Sequence, residues 1–334
     1  MPYDANVLRR ASRQLEESAR SRRERTQRLR EDAYRREPRL AQLDRRIQGT
    51  MAGLVAAALR QGGDPVQAVQ SVRAQNQELQ QERAVLLGAL GLPEDALDDK
   101  PACPLCRDTG WQGAGMCRCL KQLCAQEQIR ELSKLLDLGE QSFDTFRIDY
   151  YSQAVYPGQG ISPRENMEQN FNVCWNYANK FGRVAIKNLF LSGPPGLGKT
   201  FLSACIARMV SENGFSVVYD TAVNIFSQFE TRKFLRDSQD GLEARDETKR
   251  YLNCDLLILD DLGSELTTQF TQSALYEVIN TRLVGGKHTV ISSNLSIGEA
   301  AQRYAPQTAS RLDGEYHTLE FFGDDIRLLR KNRL

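Results

Sequence analysis

Between residues 38 and 58 the apolar positions Leu40, Leu43, Ile47, Met51, Leu54 and Ala58 recur at spacings of three and four, which places them on one stripe of a helix. Pro38 stands near the start of that helix and Gly62-Gly63 ends it. A second pattern opens at Asp64-Pro65, a capping residue followed by proline in the first turn. Its stripe is Val66, Val69, Val72, Leu79, Leu86 and Leu90, and it stops at Gly91-Leu92-Pro93. The short connection predicts an antiparallel helical hairpin, and residues 1–92 read as helical throughout. Such stripes form either the inside of a small bundle or a surface that a partner covers. Residues 94–100 are polar and read as a linker. Residues 120–187 read as helix and loop, with Phe143, Phe146, Tyr150 and Tyr151 as aromatic anchors. Beyond them short apolar runs take over, at Asn188–Ser192, Phe215–Tyr219, Cys254–Gly263 and Thr289–Asn294, and read as buried strands. An α/β domain is predicted over roughly 140–334.

The chemistry sits where these runs end. After Asn188–Ser192 comes Gly193-Pro194-Pro195-Gly196-Leu197-Gly198-Lys199-Thr200, then an apolar helix beginning at Phe201. This is the Gly-x4-Gly-Lys-Thr phosphate loop: glycines let bare amides turn inward onto phosphate oxygens. The lysine adds charge near the β- and γ-phosphates, and the threonine hydroxyl suits magnesium. The helix N-terminus faces the anion. Residues 193–201 are therefore the predicted nucleotide cradle.

The run Leu256–Leu259 ends in Asp260-Asp261. A carboxylate at the carboxyl end of a buried strand can hold magnesium, and its neighbour can orient the attacking water. We assign the first role to Asp260 and the second to Asp261. The run Thr289–Ser293 ends in Asn294, which fits either a γ-phosphate contact or an ordinary turn. Downstream, Arg311 and Arg327 are candidates for stabilising charge on a transferred phosphoryl group.

Net charge is +1, from 44 basic and 43 acidic residues, so no global basic field marks a nucleic-acid binder. Residues 1–50 carry 14 arginines and 8 acidic residues, a local excess of +6 that suits a solvated helix face or an interaction arm. Met1-Pro2-Tyr3-Asp4-Ala5 contains no apolar signal region, and the run Leu54–Leu59 is too short to span a bilayer. A cytoplasmic protein with reduced cysteines is expected. Four of its eight cysteines stand in two close pairs, Cys103/Cys106 and Cys117/Cys119. Four thiolates suit a closed, structural zinc site, in which Cys124 is an alternative ligand. Cys174, Cys205 and Cys254 sit in apolar patterns and read as core. Between the second and third strands, Phe226 and Phe229 read better as packing residues than as base-stacking ones. Lys233 and Arg236, followed by Lys249, Arg250 and Tyr251, keep both a solvated and a DNA-contacting reading.

The phosphate loop, Leu-Ile-Leu-Asp260-Asp261-Leu-Gly, Ser-Ser-Asn294 and Ser310-Arg311-Leu312, in this order and spacing, resemble the DnaC/DnaI helicase loaders and IstB-like AAA+ ATPases over roughly residues 140–334. The resemblance implies a AAA+ P-loop NTPase with a parallel five-stranded sheet flanked by helices, hydrolysing ATP with Mg2+. Asn294 would be the sensor-1 residue, Arg311 an arginine finger acting in trans, and Arg327 the sensor-2 arginine. The implied domains are a helical partner-binding module over 1–100, a zinc knuckle and linker helix over 101–139, and the ATPase over 140–334. The implied partners are a hexameric replicative helicase, single-stranded DNA and further copies of the chain; the alternative is an IstB-like helper of transposition. A third possibility is an adaptor with a residual ATPase. Two features depart from the resemblance. Most AAA+ proteins carry Glu where Asp261 stands, which leaves Glu265 as a possible assistant, and the cysteine cluster lacks histidine. Only seven residues follow Arg327, which implies no helical lid.

Overall fold

The computed structural model describes residues 3–59, 65–136, 141–183, 185–235 and 238–331. In chain order its helices are α1 (Ala5–Arg36), α2 (Pro38–Leu59), α3 (Pro65–Ala89), α4 (Arg118–Leu136), α5 (Pro163–Asn179), α6 (Lys199–Glu212), α7 (Ala222–Phe234), α8 (Gln239–Asn253), α9 (Gln269–Val284), α10 (Ile297–Arg303), α11 (Pro306–Glu315) and α12 (Ile326–Lys331). The strands are β1 (Trp111–Gln112), β2 (Gly115–Met116), β3 (Asn188–Ser192), β4 (Val217–Thr221), β5 (Leu256–Leu262), β6 (His288–Ser293) and β7 (His317–Glu320). The chain divides into two compact units, Arg13–Gly115 and Met1–Ser12 with Met116–Leu334.

In the first unit the predicted stripes are partly buried by the chain itself. Leu40 and Leu87 pack with Ala33 and Leu97, flanked by Leu29, Leu86, Leu90 and Leu92. Leu97 corrects the linker reading of 94–100. Its side chain is buried, its carbonyl accepts from Arg30 (2.6 Å), and Arg83 ties Asp44, the Glu94 carbonyl and Asp98 together. One leucine and two arginine clamps are enough to pin a polar segment. Gly62-Gly63 and Asp64 lie outside the described residues, as do the side chains of Met51, Leu54, Ala58, Val66, Val69 and Val72.

In the second unit five strands form one parallel sheet in the order β4-β5-β6-β3-β7. The strands read as continuous apolar runs because both faces are covered. Leu189, Leu191, Val217, Tyr219, Leu256, Ile258 and Val290 point into one core with α5 and α6. The alternate residues Phe190, Val218, Leu257, Leu259 and Ile291 point into the other, with α7 and α9. Phe226 and Phe229 belong to that second core, so the packing reading of these two rings holds. The arrangement is a five-stranded parallel sheet flanked by helices, the fold class expected. Its consequence for the site is the order: β6 lies between β3 and β5, so the loops leaving the carboxyl ends of these three strands meet.

Candidate functional site

The loop from Gly193 to Thr200 joins β3 to α6 and is built by its glycines. Gly193, Gly196 and Gly198 hold φ of 143°, 82° and 94°. A Cβ on Gly193 would stand 2.1 Å from the Phe321 carbonyl oxygen, and one on Gly196 would stand 2.1 Å from Asp325 Oδ1. The loop is held from outside. The Tyr151 hydroxyl donates to the Leu197 carbonyl (3.0 Å), and the Ile326 amide donates to the Gly196 carbonyl (3.0 Å). Phe201 turns its ring onto Phe146, 5.6 Å between centroids, so only its backbone faces the cradle.

Lys199 lies folded into the loop. Its Nζ donates to the carbonyls of Gly193 (2.5 Å) and Pro194 (2.7 Å) and to Asn294 Oδ1 (3.0 Å). Burial lowers its pKa to about 8, against the pull of Asp260 and Asp261 and with a further push from Arg327. Asn294 also donates through Nδ2 to Asp261 Oδ1 (3.1 Å). One amide thus bridges the phosphate-loop lysine and the second carboxylate, as its place on the middle strand allows.

The two carboxylates face different ways because the β5–β6 pairing is irregular between Leu259 and Leu262 and Asp261 takes a left-handed φ of 57°. Asp260 is buried; it accepts from the Tyr219 hydroxyl (2.6 Å), the Ser292 hydroxyl and the Asp261 amide (3.1 Å). Asp261 is exposed. Burial, then Asp260, raises the Tyr219 pKa well above its usual value, and Thr200 lies beside the same hydroxyl. Asp260 and Thr200 can therefore share a divalent cation, while Asp261 can reach a water in the open part of the site. Tyr219 and Ser292 escaped the sequence reading. Their signals were a polar-tipped ring in an apolar strand and a hydroxyl pair before Asn294. Glu265 is no assistant: it is buried, accepting from the Tyr304 hydroxyl (2.5 Å) and the Gly263 amide (2.8 Å).

Arg327, exposed at the start of α12, neighbours the loop through the Asp325–Ile326 clamp. Arg311 does not. It lines a cavity with Lys187, before β3, and His317, at the start of β7, so it sits at the amino ends of the strands, opposite the phosphate loop.

The Sγ atoms of Cys103, Cys106, Cys117 and Cys119 lie within 4.8 Å of one another, close enough for one tetrahedral ion. The Asp108 carboxylate accepts from the amides of Cys103 (2.8 Å) and Ala102 (3.2 Å) and pairs with Arg22 (2.7 Å). Burial opposes its ionisation, but these partners hold its pKa below the usual range. Cys124 lies outside the set, and its thiol is pushed up to about 11, chiefly by burial.

Among the DNA-contact candidates, Lys233 lies over the rings of Phe234 (5.5 Å) and Phe270 (5.1 Å), with Phe234 exposed. Lys249 pairs with Asp246 and Arg250 with Glu247; Tyr251 is buried, donating to Asp220. Arg236 lies outside the described residues.

Residues 181–333 match the model of the IstB-like ATP binding protein family. The matched stretch is a little under half of the chain. It covers the phosphate loop, both carboxylates, Asn294, Arg311 and Arg327. The chain is 30% identical over 112 residues to a protein of Sinorhizobium fredii named as an insertion sequence ATP-binding protein, covering 34% of this chain and 35% of that one. It is 25% identical over 119 residues to the replicative helicase loader DnaC of Buchnera aphidicola, covering 36% and 47%. It thus spans between a third and a half of the length of these relatives. Among solved structures the DnaC helicase loader is similar at a TM-score of 0.45 and 19% identity, covering 56% of this chain and 99% of that one. Among the described residues no helix is long and apolar enough to cross a membrane.

Proposed function

We propose that this chain is an ATPase that loads a hexameric replicative helicase onto single-stranded DNA. The observation that carries the ATPase reading is the Lys199–Asn294–Asp261 chain set beside buried Asp260 at the ends of three neighbouring strands. The backbone N–H groups of 196–200 and the Lys199 ammonium receive the β- and γ-phosphates once Lys199 leaves its carbonyl partners. Thr200 and Asp260 would hold magnesium, which neutralises charge on the phosphates. Asp261 orients a water and draws off its proton as the new oxygen–phosphorus bond forms and the bond to ADP breaks. Asn294 holds Asp261 in register with the γ-phosphate. Arg327 contributes charge from the same chain. Arg311, at the opposite end of the strands, acts on a triphosphate held by a second copy.

The helical module over 1–100 is the proposed helicase grip, and Cys103, Cys106, Cys117 and Cys119 the proposed structural zinc site, ahead of the ATPase over 140–334. The match to a curated helicase loader supports this reading. A second reading, an ATPase that remodels DNA for a transposase, is favoured by the IstB-like match and the insertion-sequence relative. The deciding experiment measures ATP turnover of the full chain with single-stranded or duplex DNA, and retention of the host replicative helicase with and without ATP. Helicase retention and stimulation by single strands support loading. No retention, with stimulation by duplex, transfers the function to transposition. Lys199→Ala must abolish turnover in either case.

A further inference from the structure

The segment that leaves β7 grips the phosphate loop at two points. The Phe321 carbonyl oxygen abuts Gly193, and the Ile326 amide donates to the Gly196 carbonyl (3.0 Å). Between these two residues Asp325 brings a carboxylate to the loop: a Cβ on Gly196 would overlap both of its oxygens. Asp325 is half-buried and, among the described residues, forms no ion pair. Lys199 donates to Gly193, Pro194 and Asn294 instead. The carboxylate has a structural task, since its Oδ1 accepts from the Arg327 amide (2.8 Å) and so caps α12. Asparagine or serine would cap as well, so the cap accounts for the oxygen and not for its charge. A phosphate oxygen that accepts the Gly196 N–H would lie within about 8 Å of Asp325 Oδ1, given ordinary bond lengths and hydrogen-bond distances. An unpaired anion thus stands beside a cradle built for anions.

We propose that Asp325 sets the affinity of the nucleotide site: its charge repels the polyphosphate, keeps retention weak and makes it depend on a divalent cation. The inference rests on the ATP-binding reading and deepens it. Repulsion at this range, partly screened by water and salt, amounts to about a three- to tenfold change in affinity. Magnesium on Thr200 and Asp260 would offset part of the phosphate charge, so the repulsion weighs more on a nucleotide without it. Asp325 tunes binding and takes no part in the bond changes.

The test compares the full-length wild type with Asp325→Asn and Asp325→Ser, both of which keep a capping side chain. Circular dichroism and urea unfolding check each fold. Affinity for ATP is measured by calorimetry in magnesium-free buffer and with magnesium in excess, and ADP release by stopped flow, each at low and high salt. Asp325→Asn is expected to tighten binding of magnesium-free ATP about tenfold and of the magnesium complex about threefold, and to slow release accordingly. Asp325→Ser should move the same way. The gain should shrink at high salt, where a charge effect is screened and a packing effect is not. Unchanged or weaker binding in a variant that keeps its fold, or a gain that high salt leaves intact, overturns the inference while the ATP-binding reading stands. No nucleotide binding by wild type or variants overturns that reading and the inference with it.

Discussion

Raising the pH from 7 to 9 should strip most of the charge from Lys199 before nucleotide arrives, because burial has brought its pKa down to about 8. The sign follows from the two states. Without nucleotide the lysine loses its proton near pH 8. With a triphosphate beside it, the ammonium is favoured and the pKa rises, so binding above pH 8 takes up a proton. If the bound lysine stays charged throughout, the affinity scales with the fraction already protonated in the free chain. That fraction falls from roughly nine-tenths at pH 7 to roughly one-tenth at pH 9, so affinity for MgATP should fall about tenfold, or about 1.4 kcal/mol. Calorimetric titration at pH 8.5, in two buffers of different ionisation enthalpy, reads the proton uptake directly and should give roughly 0.8 proton per nucleotide. The non-titrating control is Lys199→Arg, whose binding, at whatever strength, should stay flat over the same range. Equal wild-type affinity at pH 7 and pH 9, with no buffer dependence, would refute the link between burial in the loop and the lysine's charge.

Tyr219→Phe removes one of the three donors on buried Asp260. It should lower stability by about 1.5–3 kcal/mol, read from urea unfolding, and raise the magnesium needed for half-maximal turnover; an unchanged midpoint would count against that hydrogen bond. Gly193→Ala combines a φ of 143° with a Cβ 2.1 Å from the Phe321 oxygen. It should cost at least about 2 kcal/mol and more than tenfold in ATP affinity, whereas near-normal binding would mean the loop can shift off β7. Purified chain should carry about one zinc by elemental analysis, and Cys103→Ser should reduce it, while metal-free wild-type chain with intact folding would remove the structural role. Arg311→Ala should leave nucleotide affinity unchanged yet cut turnover on the order of 10³-fold, with wild-type turnover per chain rising with protein concentration; a loss of affinity would place Arg311 in its own chain's site instead.

The phosphate loop, the carboxylate pair and Asn294 are legible in the sequence because each is a contiguous motif at the end of an apolar run, where local chemistry and strand direction coincide. The parallel sheet and the core positions of Phe226 and Phe229 are legible for the same reason. What escapes depends on register. Tyr219 reaches Asp260 only because β4 pairs with β5 as Thr221 opposite Asp260, and Ser292 reaches it because β6 runs beside β5 with Ile291 opposite Leu259. Leu97 gains its place through contacts with residues more than fifty positions away, beyond the reach of any local pattern.

The same register argument accounts for the aspartate at position 261. A left-handed φ of 57° is tolerated by Asp and Asn far better than by longer side chains. That conformation points the carboxylate at Asn294 while Asp260 stays buried. A glutamate here would bring an extra methylene and a strained backbone together. Its oxygen would overshoot the Asn294 amide that sets its distance from Lys199. The shorter acid is therefore the one that fits this bulge, and reach toward the attacking water has to come from the loop rather than from the side chain.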